Sequence, residues 1–152
     1  MTPERARARF AAARVARLAT AGADCRPHLV PVVFAVSGDV VYSAVDAKPK
    51  RTTALRRLAN IRENPAAALL VDHYDDADWE ALWWVRADGR GRVLDPAGET
   101  ASGPGGDLGA EMAEARRATA LLRGRYPRQQ AVGAVLAVDV ERWSGWSARP
   151  GG

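Results

Sequence analysis

Apolar and polar residues alternate with a period of two along several stretches of this chain. Residues 15–20, VARLAT, predict a first strand by that alternation. Residues 28–36, HLVPVVFAV, are nearly continuous in apolar side chains and predict a second. Pro31 sits inside it. Proline has no N–H for a ladder, so this strand is expected at a sheet edge or at a bulge. Ser37-Gly38-Asp39 is a hairpin turn into a third strand over residues 40–45, VVYSAV. Residues 66–71, AAALLV, predict a fourth. Residues 82–87, LWWVRA, predict a fifth, followed by a hairpin signal at Asp88-Gly89 and a return over 91–94. Residues 133–140, GAVLAVDV, form the last core strand, which 141–146 extend or cap.

Three segments carry helical signals instead. Thr2-Pro3-Glu4 starts a helix, with Thr2 as cap and Pro3 in the first turn, running to about Ala13 with Phe10 on its apolar side. A basic helix runs from about Arg51 to Asn64 and is stopped by Pro65. A third covers 107 to about 124, where Leu108, Met112, Ala115, Thr119 and Leu122 recur every three or four residues. Tyr126-Pro127 ends it. Residues 96–106 hold four glycines and two prolines and are expected to be a mobile loop. Six or seven strands, three helices and no βαβ alternation predict a mainly-β chain with flanking helices, a closed antiparallel barrel. With no repeat and no linker, residues 1–152 are expected to form a single domain.

Composition narrows the partners. No run of 18 apolar residues occurs, so no membrane span is expected. The first ten residues lack the apolar stretch of a secretory signal. Cys25 is the single cysteine, which excludes an intrachain disulfide and a cysteine-cluster metal site. A cytoplasmic location follows as an expectation. The net charge is +4, but most arginines are interleaved with acidic residues, and no nucleic-acid motif is present. Nucleic acid is therefore not expected as a partner.

Candidate chemistry concentrates in one stretch, residues 40–72. Lys48 and Lys50, the only lysines of the chain, flank Pro49 and precede Arg51 at the start of the basic helix. Cations there oppose the helix dipole, and an anion bound between them would relieve that cost. Arg57 and Asn60 are three apart and share a helix face. Elsewhere, Trp83 and Trp84 are adjacent on a strand and must face opposite sides, one toward the core and one toward a surface or interface. Arg86 shares the face of Trp84, and the two together would suit a flat anionic ligand. The acidic run Asp72, His73, Asp75, Asp76, Asp78 lacks the glycine and distal glutamate of a calcium loop and is expected to be solvated. No HExxH or CxxC is present, so no metal is expected. Gly103–Gly106 has no following lysine, which speaks against a phosphate loop. His28 and Ser43 fit no triad spacing.

The order HLVPVVF, VVYSAVDAKPKR, LRRLANIRENPAAALLVD and LWWVRADGRGRV resembles the pyridoxamine 5′-phosphate oxidase-like split barrels that bind FMN. It is most similar to their coenzyme F-420-dependent branch. The similarity spans about residues 13–94 and the final strand, with Asn60-Ile61-x-x-Asn64-Pro65 as its most telling run. The resemblance implies an antiparallel split β-barrel and a homodimer with cofactor sites at the interface. It implies an oxidoreductase passing a hydride between coenzyme F-420, a deazaflavin, and a small organic substrate. FMN is the alternative cofactor, and a non-enzymatic flavin- or haem-binding protein the alternative role. Lys48, Lys50 and Arg51 match the basic stretch after the third strand. Arg57 and Asn60 match the basic residue and asparagine ahead of the proline, although many relatives have lysine where Arg57 stands. His28, Val30 and Pro31 match the strand beside the cofactor ring, and Tyr42 and Ser43 the neighbouring strand face. Trp84 and Arg86 complete the candidate cofactor set. No catalytic residue is assigned; His73 and Tyr74 are the candidate proton donors.

Overall fold

The computed structural model describes residues 1–46, 51–95, 107–128 and 131–149, with only the backbone for 45–46, 51–55 and 131–132. The predicted loop over 96–106 and the lysines at 48 and 50 lie outside the described residues. In chain order the elements are α1 (Pro3–Ala12), β1 (Ala16–Ala21), β2 (Pro27–Val32), β3 (Ala35–Ser37), β4 (Val40–Asp46), α2 (Arg51–Glu63), β5 (Ala66–His73), β6 (Trp83–Leu94), α3 (Leu108–Arg125) and β7 (Ala131–Ser147). A single 3-10 turn, Trp79–Ala81, leads into β6. None of the helices among the described residues is long and apolar enough to cross a membrane.

All seven strands form one antiparallel sheet in the order β2-β1-β5-β6-β7-β4-β3. The ladder is not closed: β2 and β3 are its edges, although only Val33 and Phe34 separate them in the chain. The expected closed barrel is therefore a split one. Pro31 stands on the edge strand β2 opposite Arg17, where no outer neighbour needs the N–H it lacks.

Two local expectations change. The predicted strand over 28–36 is broken at Phe34, which is fully buried. Its backbone turns to Tyr126 at the end of α3: the Phe34 N–H donates to Tyr126 Oη at 3.4 Å, and that hydroxyl lies 2.8 Å from the Phe34 carbonyl oxygen. A tertiary partner replaces the ladder bonds. The predicted hairpin at Asp88-Gly89 is also wrong, because β6 runs straight through it for twelve residues. β5 and β7 pair with β6 on both sides of that point, and the irregularity is a register shift between Asp88 and Gly89. A Cβ on Gly89 would lie 2.1 Å from the Asp139 carbonyl oxygen. The glycine thus serves a close backbone approach rather than a turn.

The sheet packs on both sides. Inside, Phe10 of α1 meets Phe34 and Trp143 at ring-centroid distances of 4.8 and 5.3 Å. Leu18, Leu69, Val85, Leu136 and Val138 surround them, with Leu58 and Ile61 of α2 closing the inner layer. Outside, α3 lays Ala115, Ala118 and Leu122 on Tyr42, Leu94, Val135 and Ala137. Thr2 caps α1 through Arg5, as the sequence signals require, and Asp107 caps α3 through Gly109 and Ala110.

Candidate functional site

β1 and β2 place Thr20 opposite His28. The Asn60 side-chain amide of α2 donates to Thr20 Oγ1 at 3.1 Å, and both side chains are buried. One turn further along α2, Glu63 Oε2 accepts from the Ala23 N–H at 2.9 Å. Gly22 lies beneath, where a Cβ would meet Glu63 and Asn60 oxygens at 2.8 and 2.9 Å. These contacts seat α2 against the β1–β2 turn. Asn60, a predicted cofactor contact, thus spends its amide on Thr20.

That helix also carries Arg56 and Arg57, whose charges act on His28. Arg57 is half-buried, and burial lowers its pKa from the usual arginine value. Among the described side chains, no carboxylate pairs with it. The guanidinium stays charged at any physiological pH, so its charge is partly withdrawn from water without a counter-ion. His28 has its pKa lowered by burial first, then by the charges of Arg56 and Arg57. Its Nδ1 is shielded from solvent and has no hydrogen-bond partner among the described residues. A buried orphan nitrogen beside uncompensated cations is an arrangement that an anion completes. Of the predicted anion seat, the side chains of Arg57 and Asn60 are described and that of Arg51 is not; His28, expected beside the cofactor ring, is within reach of the Arg57 charge.

Other predicted residues separate. His28 and Val30 share the inner face of β2, where Val30 packs on the core, whereas Pro31 is exposed on the opposite face. Tyr42 is buried beneath α3 and donates to Glu114 Oε1 at 2.8 Å. Its ionisation is pushed up to about 12, by burial and then by the bond to Glu114. Ser43, its neighbour in β4, is buried as well. Strand alternation puts Tyr42 and Ser43 on opposite faces, so they cannot line one surface together.

Trp84 and Arg86 lie elsewhere, on the outer face that α3 leaves uncovered. Here a groove of about 680 Å³ runs across β1, β5, β6 and β7, between Leu29, Leu70, Trp84, Arg86 and Trp146. Trp84 pairs with Trp146 across the ladder, and the two are 37% and 49% exposed. Arg86 is not a free cation: it pairs with Asp88 at 2.9 Å, and Arg142 reaches the same carboxylate at 3.1 Å. Arg17 pairs with Asp72 at 3.0 Å on this face. The surface around Trp84 is thus largely apolar, and its Arg86 and Arg17 are paired with Asp88 and Asp72. Trp146 was missing from the sequence-level candidates. Its spacing of three from Trp143 could have revealed it, since that interval puts the two on opposite faces of a strand. Trp83 points inward as expected, with the Arg9 guanidinium 4.9 Å from its ring centre.

The acidic run is held by its own turns. Asp75 accepts from Ala77 N–H, Asp78 from Glu80 N–H, and Tyr74 Oη donates to Asp76. Tyr74, one of the candidate proton donors, is thereby engaged, and His73 stacks on Trp83 at 6.2 Å.

A family model described as pyridoxamine 5′-phosphate oxidase matches residues 2–147. No curated protein matches the chain. Among solved structures, the chain is similar to the conserved hypothetical protein Rv2991 from Mycobacterium tuberculosis, with 18% identity and a TM-score of 0.68 over 98% of this chain and 86% of that one. It is similar to a FAD-binding protein from Mesorhizobium loti, with 20% identity and a TM-score of 0.67 over 95% and 94%. It is also similar to the FAD-binding protein from Mycobacterium smegmatis, with 18% identity and a TM-score of 0.58 over 95% and 93%.

Proposed function

The chain belongs to the pyridoxamine 5′-phosphate oxidase family, and from that premise we propose an oxidoreductase that holds a phosphate-bearing deazaflavin or flavin and acts on a small organic substrate. The observation that carries this is Arg57, a half-buried cation with no carboxylate partner among the described side chains, beside the orphan Nδ1 of His28. Both fit the phosphate of such a cofactor. Lys48, Lys50 and Arg51 would add to the seat as the family resemblance implies. The bound cofactor would supply the hydride chemistry, while this chain binds, orients and shields it.

Coenzyme F-420 is the specific reading. Its acidic tail suits the further arginines of α2, Arg56 and Arg62, both exposed. FMN or FAD is the second reading, favoured by the FAD-binding proteins of similar fold. A homodimer is part of the proposal. The open face exposes Leu29, Trp84 and Trp146, and a second copy would cover them.

Tryptophan-fluorescence titration with F-420, FMN and FAD tests the cofactor, and reduction or oxidation of a bound cofactor tests the enzyme. Arg57→Ala should weaken the preferred cofactor about ten- to a hundredfold, the loss of one charge-assisted hydrogen bond. Equal affinity in wild type and variant would remove the proposed phosphate seat. Tight binding without turnover of any substrate would favour a carrier of flavin or haem over an enzyme.

A further inference from the structure

The Arg57–His28 seat contains a titratable ring, and its surroundings set when that ring can carry charge. His28 lies on the edge strand β2, and among the described residues no outer strand covers it. From β1 it faces Thr20, which is uncharged and whose hydroxyl already accepts from Asn60. From α2 the charges of Arg56 and Arg57 act on it. Among the described residues these arginines are the charged groups acting on it, and both are positive. Among the described residues the ring's Nδ1 thus meets no acceptor and no negative charge, a setting that disfavours the charged form.

An oxyanion entering beside Arg57 reverses both conditions. It brings negative charge near the ring and offers an acceptor for a shielded imidazole N–H. We propose that His28 is a proton-linked part of the anion seat: it takes up a proton when an oxyanion binds against Arg57, so that binding tightens as pH falls. This rests on the phosphate-seat reading above and adds its regulation. The sign follows from linkage. Binding raises the affinity of the site for a proton, so a proton raises the affinity for the anion by the same factor. The effect is confined to the pH interval between the titration of free His28, lowered from its ordinary 6.5, and its higher titration in the complex. Within that interval the affinity should approach a tenfold gain for each pH unit, the limit for uptake of one proton.

Inorganic sulfate is the suitable probe, because its charge is constant over this range, whereas a phosphate monoester titrates near pH 6. The chain has two histidines, His28 and His73, so imidazole NMR resolves both, and His28→Gln assigns them. Sulfate should move the titration of His28 upward by one unit or more. Sulfate affinity should rise as pH falls in the wild-type protein, and His28→Gln should bind sulfate with a flat pH profile. If sulfate binds in an Arg57-dependent manner while the titration of His28 does not move, the proton linkage is overturned and the anion seat stands. If sulfate binding is unaffected by Arg57→Ala, the seat itself falls and the linkage with it.

Discussion

Asn60 on α2 reaches Thr20 on β1 at 3.1 Å, and Thr20 stands directly opposite His28. This bond joins the helix that carries Arg57 to the strand pair that carries His28. Asn60→Ala would leave the buried Thr20 hydroxyl without its partner, at a cost of about 1–3 kcal/mol. Urea unfolding should show that loss. Since the bond also seats α2, sulfate affinity should fall in this variant although Asn60 itself is committed to Thr20. Unchanged stability would mean that the bond contributes nothing to the seating.

The Gly89 position predicts a second result. A methyl group there would press on the Asp139 carbonyl oxygen, so β6 and β7 would have to separate. Gly89→Ala should lower stability by about 1–3 kcal/mol, as overpacking at a rigid backbone contact does. A thermal melt reads this directly. Were Asp88-Gly89 a surface hairpin after all, the alanine would be nearly silent.

A third prediction concerns pH. Glu114 joins α3 to the sheet through Arg92 at 3.0 Å and through Tyr42. Its pKa is lowered, chiefly by the Arg92 hydrogen bond. The stability this supplies is present above its ordinary 4.5 and is lost as pH falls through the lower folded value. Tyr42 works in the opposite sense. Its folded pKa is raised to about 12 from an ordinary 10.0, so its contribution is present below pH 10.0 and lost as pH rises through about 12. Urea midpoints measured against pH should lose the acid limb in Glu114→Gln and the alkaline limb in Tyr42→Phe.

The open face predicts an assembly state. Trp84→Glu puts a charge in the apolar centre of the groove, next to Trp146. Sedimentation should show the wild-type chain as a dimer and the variant as a folded monomer. A wild-type monomer at micromolar concentration would count against the dimer and leave the fold untouched.

Much of this molecule was legible in the chain before folding. The cap at Thr2, the stop at Pro65, the edge or bulge implied by Pro31 and the opposed directions of Trp83 and Trp84 are consequences of local stereochemistry, and the structure bears each of them out, Pro31 at an edge. The family motif around Asn60 and Pro65 marked the helix–strand unit on which the proposed seat rests. Other features depend on contacts between distant residues, which no local window contains. Asp88-Gly89 has the chemistry of a turn, yet strands on both sides hold β6 straight. Phe34 sits in an apolar run, yet Tyr126, 92 positions away, takes its backbone bonds. Arg86 reads as a free cation beside a tryptophan until Asp88 and Arg142 are seen around it. Arg57 is marked in the sequence by the family motif, but that packing withdraws it from water without a carboxylate partner among the described side chains is visible only in the fold. Sequence by itself determined where strands and helices could begin and end, because backbone sterics and capping act within a few residues. Which charges are paired and which are withdrawn from water without a carboxylate among the described side chains was decided only by the tertiary structure, because desolvation and pairing depend on what is packed alongside.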